Sequence, residues 1–255
     1  MDCHFDIELA RSYHSPSQQI RVLTEAWVLH NIFCPRCGNP RMEHFPNNAS
    51  VADYFCPACK SEYELKSKRN SIGKKIADGA YETFIDRITS NHNPDFLIMT
   101  YDPTALCVNN LFLIPKHFFT PAIVEKRAPL SATARRAGWI GCNILFQDIP
   151  SQGQVPIVTN RTFEEKETVI AAVKSADKLF AKNIEARGWL MDVLWCVNQV
   201  ASPSFTLEAM YRYDSLLSAK HPENHNVRPK IRQQLQVLRD KGFIEFLKPG
   251  LYRKL

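Results

Sequence analysis

Apolar residues recur at helical spacing at Ile20, Leu23 and Trp27, which predicts a helix within residues 1–30. Periodicity is then lost, and residues 31–62 read as a loop that carries cysteines. Strict alternation follows in Glu62-Tyr63-Glu64-Leu65-Lys66, the pattern of a strand. A helix is expected around residues 74–90. The short apolar runs at 95–101 and 110–114 read as buried strands. Strand, helix, strand, strand in that order predicts an α/β fold built on a mixed sheet flanked by helices.

Further along, Gly153 and Pro156 mark a loop, and residues 162–180 have a charged helical pattern suited to joining two domains. The rest predicts helices over 183–200, from Thr206 onward, and over 227–241, the last ended by Gly242. Strand-like runs at 243–247 and 251–255 flank Lys248-Pro249-Gly250, a turn. Three helices and a hairpin outline a winged helix-turn-helix. The chain is therefore divided into residues 1–182 and 183–255.

The length, 255 residues, suits one large domain and one small one. No apolar run reaches the roughly 18 residues that span a bilayer, and the first residues carry acids, so a cytoplasmic protein without a membrane partner is expected. Eight cysteines in that compartment point away from a disulfide scaffold. The net charge is +6; residues 184–255 hold eleven Lys plus Arg and seven Asp plus Glu, so +4 of it lies there. That balance fits a nucleic-acid partner without requiring one.

Two C-x-x-C knuckles, Cys34/Cys37 and Cys56/Cys59, stand eighteen residues apart. This is the spacing of a structural Zn2+ site, in which four thiolates close a tetrahedral shell and leave no position for substrate. Cys3, Cys107, Cys142 and Cys196 are isolated and read as core residues.

Side chains two apart on a strand share a face, so Glu64 and Lys66 are expected to point into one pocket, with Leu65 packed behind. Asp53, eleven residues before Glu64, completes a D…E-x-K constellation. Two carboxylates can hold Mg2+, an oxygen-seeking ion that neutralises a phosphodiester and activates water. A lysine beside them can orient that water and add positive charge. The string alone also fits a surface salt bridge. A second one, Glu164-Glu165-Lys166, lies in a charged helical stretch and reads as a solvated face. Glu62 and Asp78 are further acids within reach of the first.

Residues 131–142 combine Arg135, Arg136 and Trp139 with small residues and two glycines. Paired arginines suit phosphates or guanine edges, and an indole between glycines suits a base or a methyl group; Trp139 fits a core position equally well. On the helix over 227–241, Ile231, Leu235 and Leu238 form an apolar stripe, and Arg232, Gln233, Gln236 and Arg239 lie off it. Arg and Gln pair bidentately with guanine and adenine, whereas a protein-binding winged helix would carry them as a solvated face. Lys248, Arg253 and Lys254 on the hairpin suit phosphates.

These residues, with the strings LTEAWV, CPRCGNP, YELKSK, ARRAGWIGCNI, FTLEAMYR, IRQQLQVLRDK and YRKL, resemble the DpnI-like methyl-directed type II restriction endonucleases over nearly the whole chain. The resemblance implies a PD-(D/E)xK endonuclease domain with an embedded zinc site and a C-terminal winged helix. A monomer is expected, and the resemblance implies an enzyme that cuts double-stranded DNA at GATC carrying N6-methyladenine. Asp53, Glu64 and Lys66 would be catalytic, with Asp53, Glu64 and Leu65 holding Mg2+, and Trp139 would meet the methyladenine. A competing reading is a zinc-ribbon, winged-helix regulator that binds DNA without cutting. It has no need of the Asp53, Glu64 and Lys66 set.

Overall fold

The computed structural model describes residues 2–45, 52–90 and 92–255. The first helix, α1 (Pro16–Asn31), starts with proline at its first turn and buries Leu23 and Trp27, as the spacing predicts. Two short strands, β1 (Glu43–His44) and β2 (Tyr54–Phe55), bracket the stretch between the two knuckles. Then comes β3 (Glu62–Arg69), longer than its alternating core.

The expected helix over 74–90 is corrected by the structure. Its first half is a strand, β4 (Lys75–Ala80), and only its second half is helical, α2 (Tyr81–Thr89). Phe84 and Ile88 form the buried face of α2, whereas in β4 only Ile76 is buried. The partner that makes β4 a strand is β8 (Gly141–Leu145), which is remote in sequence. β5 (Asp95–Asp102) and β6 (Cys107–Ile114) follow where the apolar runs place them. A short β7 (Val124–Lys126) precedes β8.

Gly153 and Pro156 are likewise corrected. Gly153 ends a short 3-10 turn, and Pro156 sits in a strand, β9 (Val155–Thr159), which pairs with β10 (Thr162–Phe163). The helical pattern after it is real but shorter: α3 spans Lys166–Asp177.

Among the described residues the main sheet has seven strands in the order β1-β2-β3-β5-β6-β9-β10. β3 and β5 run parallel and the other pairs are antiparallel, so the sheet is mixed. A parallel neighbour requires a crossover, and β4 with α2 provides it. The first six residues of β5 are all buried, which is the reason for its unbroken apolar run. A second sheet, β4-β8-β7, carries the 127–140 segment as the connection between β7 and β8.

The C-terminal part begins with α4 (Ile184–Gln199), capped by the Asn183 side chain on the N–H of Ala186. A strand not expected from the pattern, β11 (Ser204–Thr206), comes next. Thr206 caps α5 (Leu207–Tyr211), and α6 (Asp214–Lys220) follows as a separate helix. α7 (Val227–Asp240) buries Ile231, Leu235 and Leu238 at 0% exposure. The wing is β12 (Ile244–Lys248) and β13 (Leu251–Lys254), with β11 on the far edge of β13. Gly250 turns it at φ +74°. The arrangement is a helix-turn-helix with a three-stranded wing. Cys3, Cys107, Cys142 and Cys196 are buried free thiols, as their isolation predicts.

Candidate active site

The two knuckles share one backbone design. In each, the residue after the second cysteine donates its N–H to the carbonyl of the first: Gly38 to Cys34 at 2.8 Å and Lys60 to Cys56 at 2.9 Å. Both residues need positive φ, +77° and +61°. The turns bring the four Sγ atoms within 4.8 Å of one another, and Cys34–Cys59 and Cys37–Cys56 lie 3.6 Å apart. A tetrahedral shell with Zn–S bonds near 2.3 Å needs sulfurs about 3.8 Å apart, so the donor set fits zinc. Burial acts to raise the Cys59 thiol, but hydrogen bonds with the Ser61 hydroxyl and backbone pull it down to about 7, which favours the thiolate a metal needs.

This centre holds the acidic site in register. The Tyr63 hydroxyl lies 3.0 Å from Cys34 Sγ, and the N–H of Asp53 donates to the Tyr63 carbonyl at 3.0 Å. Asp53 precedes β2, and β2 pairs with the start of β3. The Asp53 carboxylate then accepts from the N–H of Leu65 at 2.7 Å. Asp53, Glu64, Leu65 and Lys66 are thus brought together at one strand. In an extended strand the N–H and C=O of one residue face the same edge, so the Leu65 carbonyl is turned to the side where Asp53 stands.

Glu64 and Lys66 share a face, as their spacing predicts: Lys66 Nζ lies 2.5 Å from Glu64 Oε1. Two further residues join them. Asp78 on β4 meets Lys66 Nζ at 2.6 Å, and Arg87 on α2 pairs with the other oxygen of Glu64. Both cations stand near the Phe96 ring, at 5.9 and 5.8 Å from its centroid. Burial works against the Lys66 ammonium, but the charges of Glu64 and Asp78 outweigh it and raise its pKa above the usual lysine value. Lys66 is therefore a held cation. Asp78 Oδ2 is buried and has no hydrogen-bond partner among the described residues. Asp78 is only within possible reach in the sequence and Arg87 has no signal there, because its place depends on α2 packing through Phe84 on Phe96 of β5.

The stretch 127–140 folds back on itself. Leu130 donates to the Trp139 carbonyl at 2.9 Å, and Gly138, at φ +76°, donates to that of Leu130 at 3.1 Å. Arg135 and Arg136 are exposed and Trp139 is half-buried. The Arg136 guanidinium sits 4.7 Å from the indole centroid. The indole rests on Gly141, where an added Cβ would lie 2.7 Å from the ring. The same sheet supplies Asp78, so the sheet that carries this segment also supplies a partner of Lys66 on β3. Thr133 is exposed, and Asn143 is engaged by Glu125 at 2.7 Å.

On α7, Arg232, Gln233, Gln236 and Arg239 are all exposed. Arg232 donates to the Tyr211 hydroxyl at 2.6 Å and Arg239 pairs with Asp240 at 2.8 Å. On the wing, Arg253 pairs with Glu245, Lys254 donates to the Val200 carbonyl and Lys248 is exposed. Among the described residues no helix is long and apolar enough to cross a membrane.

Two family models match the chain. Residues 1–182 match DpnI, the Dam-replacing family, and residues 185–254 match DpnI_C, the Dam-replacing helix-turn-helix domain. With nearly the whole length matched, the chain belongs to the DpnI, or Dam-replacing, family of methyl-directed restriction endonucleases, and carries that family's helix-turn-helix domain at its C-terminus.

Proposed function

We propose that the chain is a type II site-specific deoxyribonuclease that hydrolyses double-stranded DNA at GATC bearing N6-methyladenine, with Mg2+ as its cofactor. Residues 1–182 form the cutting unit and residues 183–255 a second DNA-reading unit. One observation carries the reading: Asp53 is held on the Leu65 N–H beside Glu64 and Lys66, and the half-buried lysine lies between the carboxylates of Glu64 and Asp78.

The donor set at this point is all oxygen, from Asp53, Glu64 and the Leu65 carbonyl, which suits Mg2+. When bound, the ion neutralises the phosphate and makes water acidic enough to attack. The protein residues do the rest. The Leu65 N–H fixes the Asp53 carboxylate. Arg87 fixes Glu64 from behind. Lys66 orients water toward phosphorus and supplies positive charge as the P–O ester bond breaks. Arg135 and Arg136 meet phosphates or guanine, and Trp139 meets the methylated base. Arg232, Gln233, Gln236 and Arg239 enter the major groove from α7.

A methyl group in an apolar site contributes on the order of 1 kcal/mol, so one contact discriminates poorly and two readers multiply. Trp139→Ala is accordingly expected to lower the preference for methylated over unmethylated duplex by about fivefold to tenfold, with cleavage retained. The test is cleavage of short duplexes with Mg2+, carrying methylated GATC, plain GATC, or a methylated adenine outside GATC. Cutting of the first alone supports the proposal; equal cutting of the first and third removes the GATC assignment.

A further inference from the structure

Arg187 is 9% exposed, yet among the described residues no carboxylate pairs with it. Its Nη2 donates instead to the carbonyl of Ile88 at 2.9 Å, and its Nε is buried without a partner. Burial lowers its pKa, with no anion to offset the loss of solvent. A cation held this way is costly, so its position is informative. Ile88 lies in the last turn of α2, where carbonyls lack partners within the helix and the dipole favours a positive charge. Ser90 satisfies its neighbours, taking the Asp86 and Arg87 carbonyls at 3.1 and 3.2 Å. Arg187 completes the cap from another domain.

The residue before Ile88 is Arg87, which pairs with Glu64. The other end of α2 is also tied: the N–H of Tyr81 donates to the carbonyl of Ile140, beside Trp139, at 3.0 Å. One nine-residue helix therefore touches the basic loop at its start, the C-terminal domain at its end and Glu64 between them.

We propose that Arg187 is a positioning residue through which the C-terminal domain sets Glu64, with α2 as the lever. The proposal rests on Glu64 being part of the cutting site. It makes docking of residues 183–255 a condition for full activity, beyond any DNA contact they provide. α4 has independent anchors, Trp195 Nε1 to the Gln147 carbonyl at 3.0 Å and Asn198 Nδ2 to Gln152 Oε1 at 2.8 Å, so losing Arg187 leaves the domain attached.

The experiment compares the full chain with Arg187→Met, which keeps the reach without the charge, and Arg187→Lys, which restores a donor. Two readouts are taken. In single-turnover cleavage of methylated duplex at saturating protein, Arg187→Met is expected to be slower by about tenfold to a hundredfold, with duplex affinity within about threefold of wild type. Arg187→Lys recovers most of the loss. In hydrogen exchange, amides at the end of α2 lose protection by about tenfold in Arg187→Met while those of β5 and α4 keep theirs. Unchanged exchange at α2 overturns the proposal whether or not the wild type cuts. So does an unchanged rate in an active wild type, or a uniform loss of protection that lysine does not restore. A wild type that cuts nothing, with α2 loosened, sinks the nuclease reading but leaves the structural coupling standing.

Discussion

Lys66→Met is expected to reduce cleavage of methylated duplex by roughly a thousandfold or more while duplex affinity stays within about threefold. Methionine keeps the aliphatic stem beside Phe96 and removes only the ammonium. Among the described residues that ammonium is the one cation placed between Glu64 and Asp78, at 2.5 and 2.6 Å. Arg87 remains on Glu64 and cannot replace it, because it approaches the opposite oxygen. On the proposed reading the affinity rests elsewhere, on the exposed arginines of the 127–140 segment and of α7. A melting curve on the same variant separates chemistry from folding: loss of cutting with a melting temperature within a few degrees of wild type is the expected pair. Retained cutting would remove Lys66 from the mechanism.

Loss of zinc is expected to have the second large effect, and on a different quantity. Cys37 is exposed, so Cys37→Ser removes little packing and tests the metal shell. Structural zinc contributes on the order of 10 kcal/mol in small domains. Metal content should fall from about one ion per chain, and the nuclease domain should melt at least ~10 °C lower. Activity is lost with it, because Asp53 is aligned through Tyr63, whose hydroxyl meets Cys34. Arg36, inside the first knuckle, ties the same centre to Asp95 at the start of β5 and to Asp177 at the end of α3, at 2.7 Å for the latter. The C-terminal domain draws on none of these contacts, so binding to DNA should survive better than cutting. Metal analysis and paired melting and binding curves check this. A Cys37→Ser chain with full zinc and full activity would contradict it.

What could be read in the sequence follows the range of the forces involved. The knuckles were legible because four thiolates at fixed spacing have few other uses. The alternation from Glu62 to Lys66 was legible because a half-buried strand imposes it locally. The stripe of Ile231, Leu235 and Leu238 was legible for the same reason. β4 was not, because its strand character comes from pairing Asp78 with Cys142 and Ala80 with Gly141, across some sixty residues of chain. Pro156 was misplaced because β9 tolerates it next to an irregular register with β6. Asp78 and Arg87 reach the site only through these non-local packings. Arg187 gives no local signal at all; it reads as the polar start of a helix until Ile88 is found beneath it.

The most direct test of the central claim is incubation of the wild-type chain with Mg2+ and one plasmid prepared in two forms, adenine-methylated at GATC and unmethylated. Fragments are expected from the methylated plasmid, with the unmethylated one intact. DNA retarded but uncut in both forms would contradict the nuclease reading and favour a DNA-binding regulator, and equal cutting of both would contradict recognition of the methyl mark.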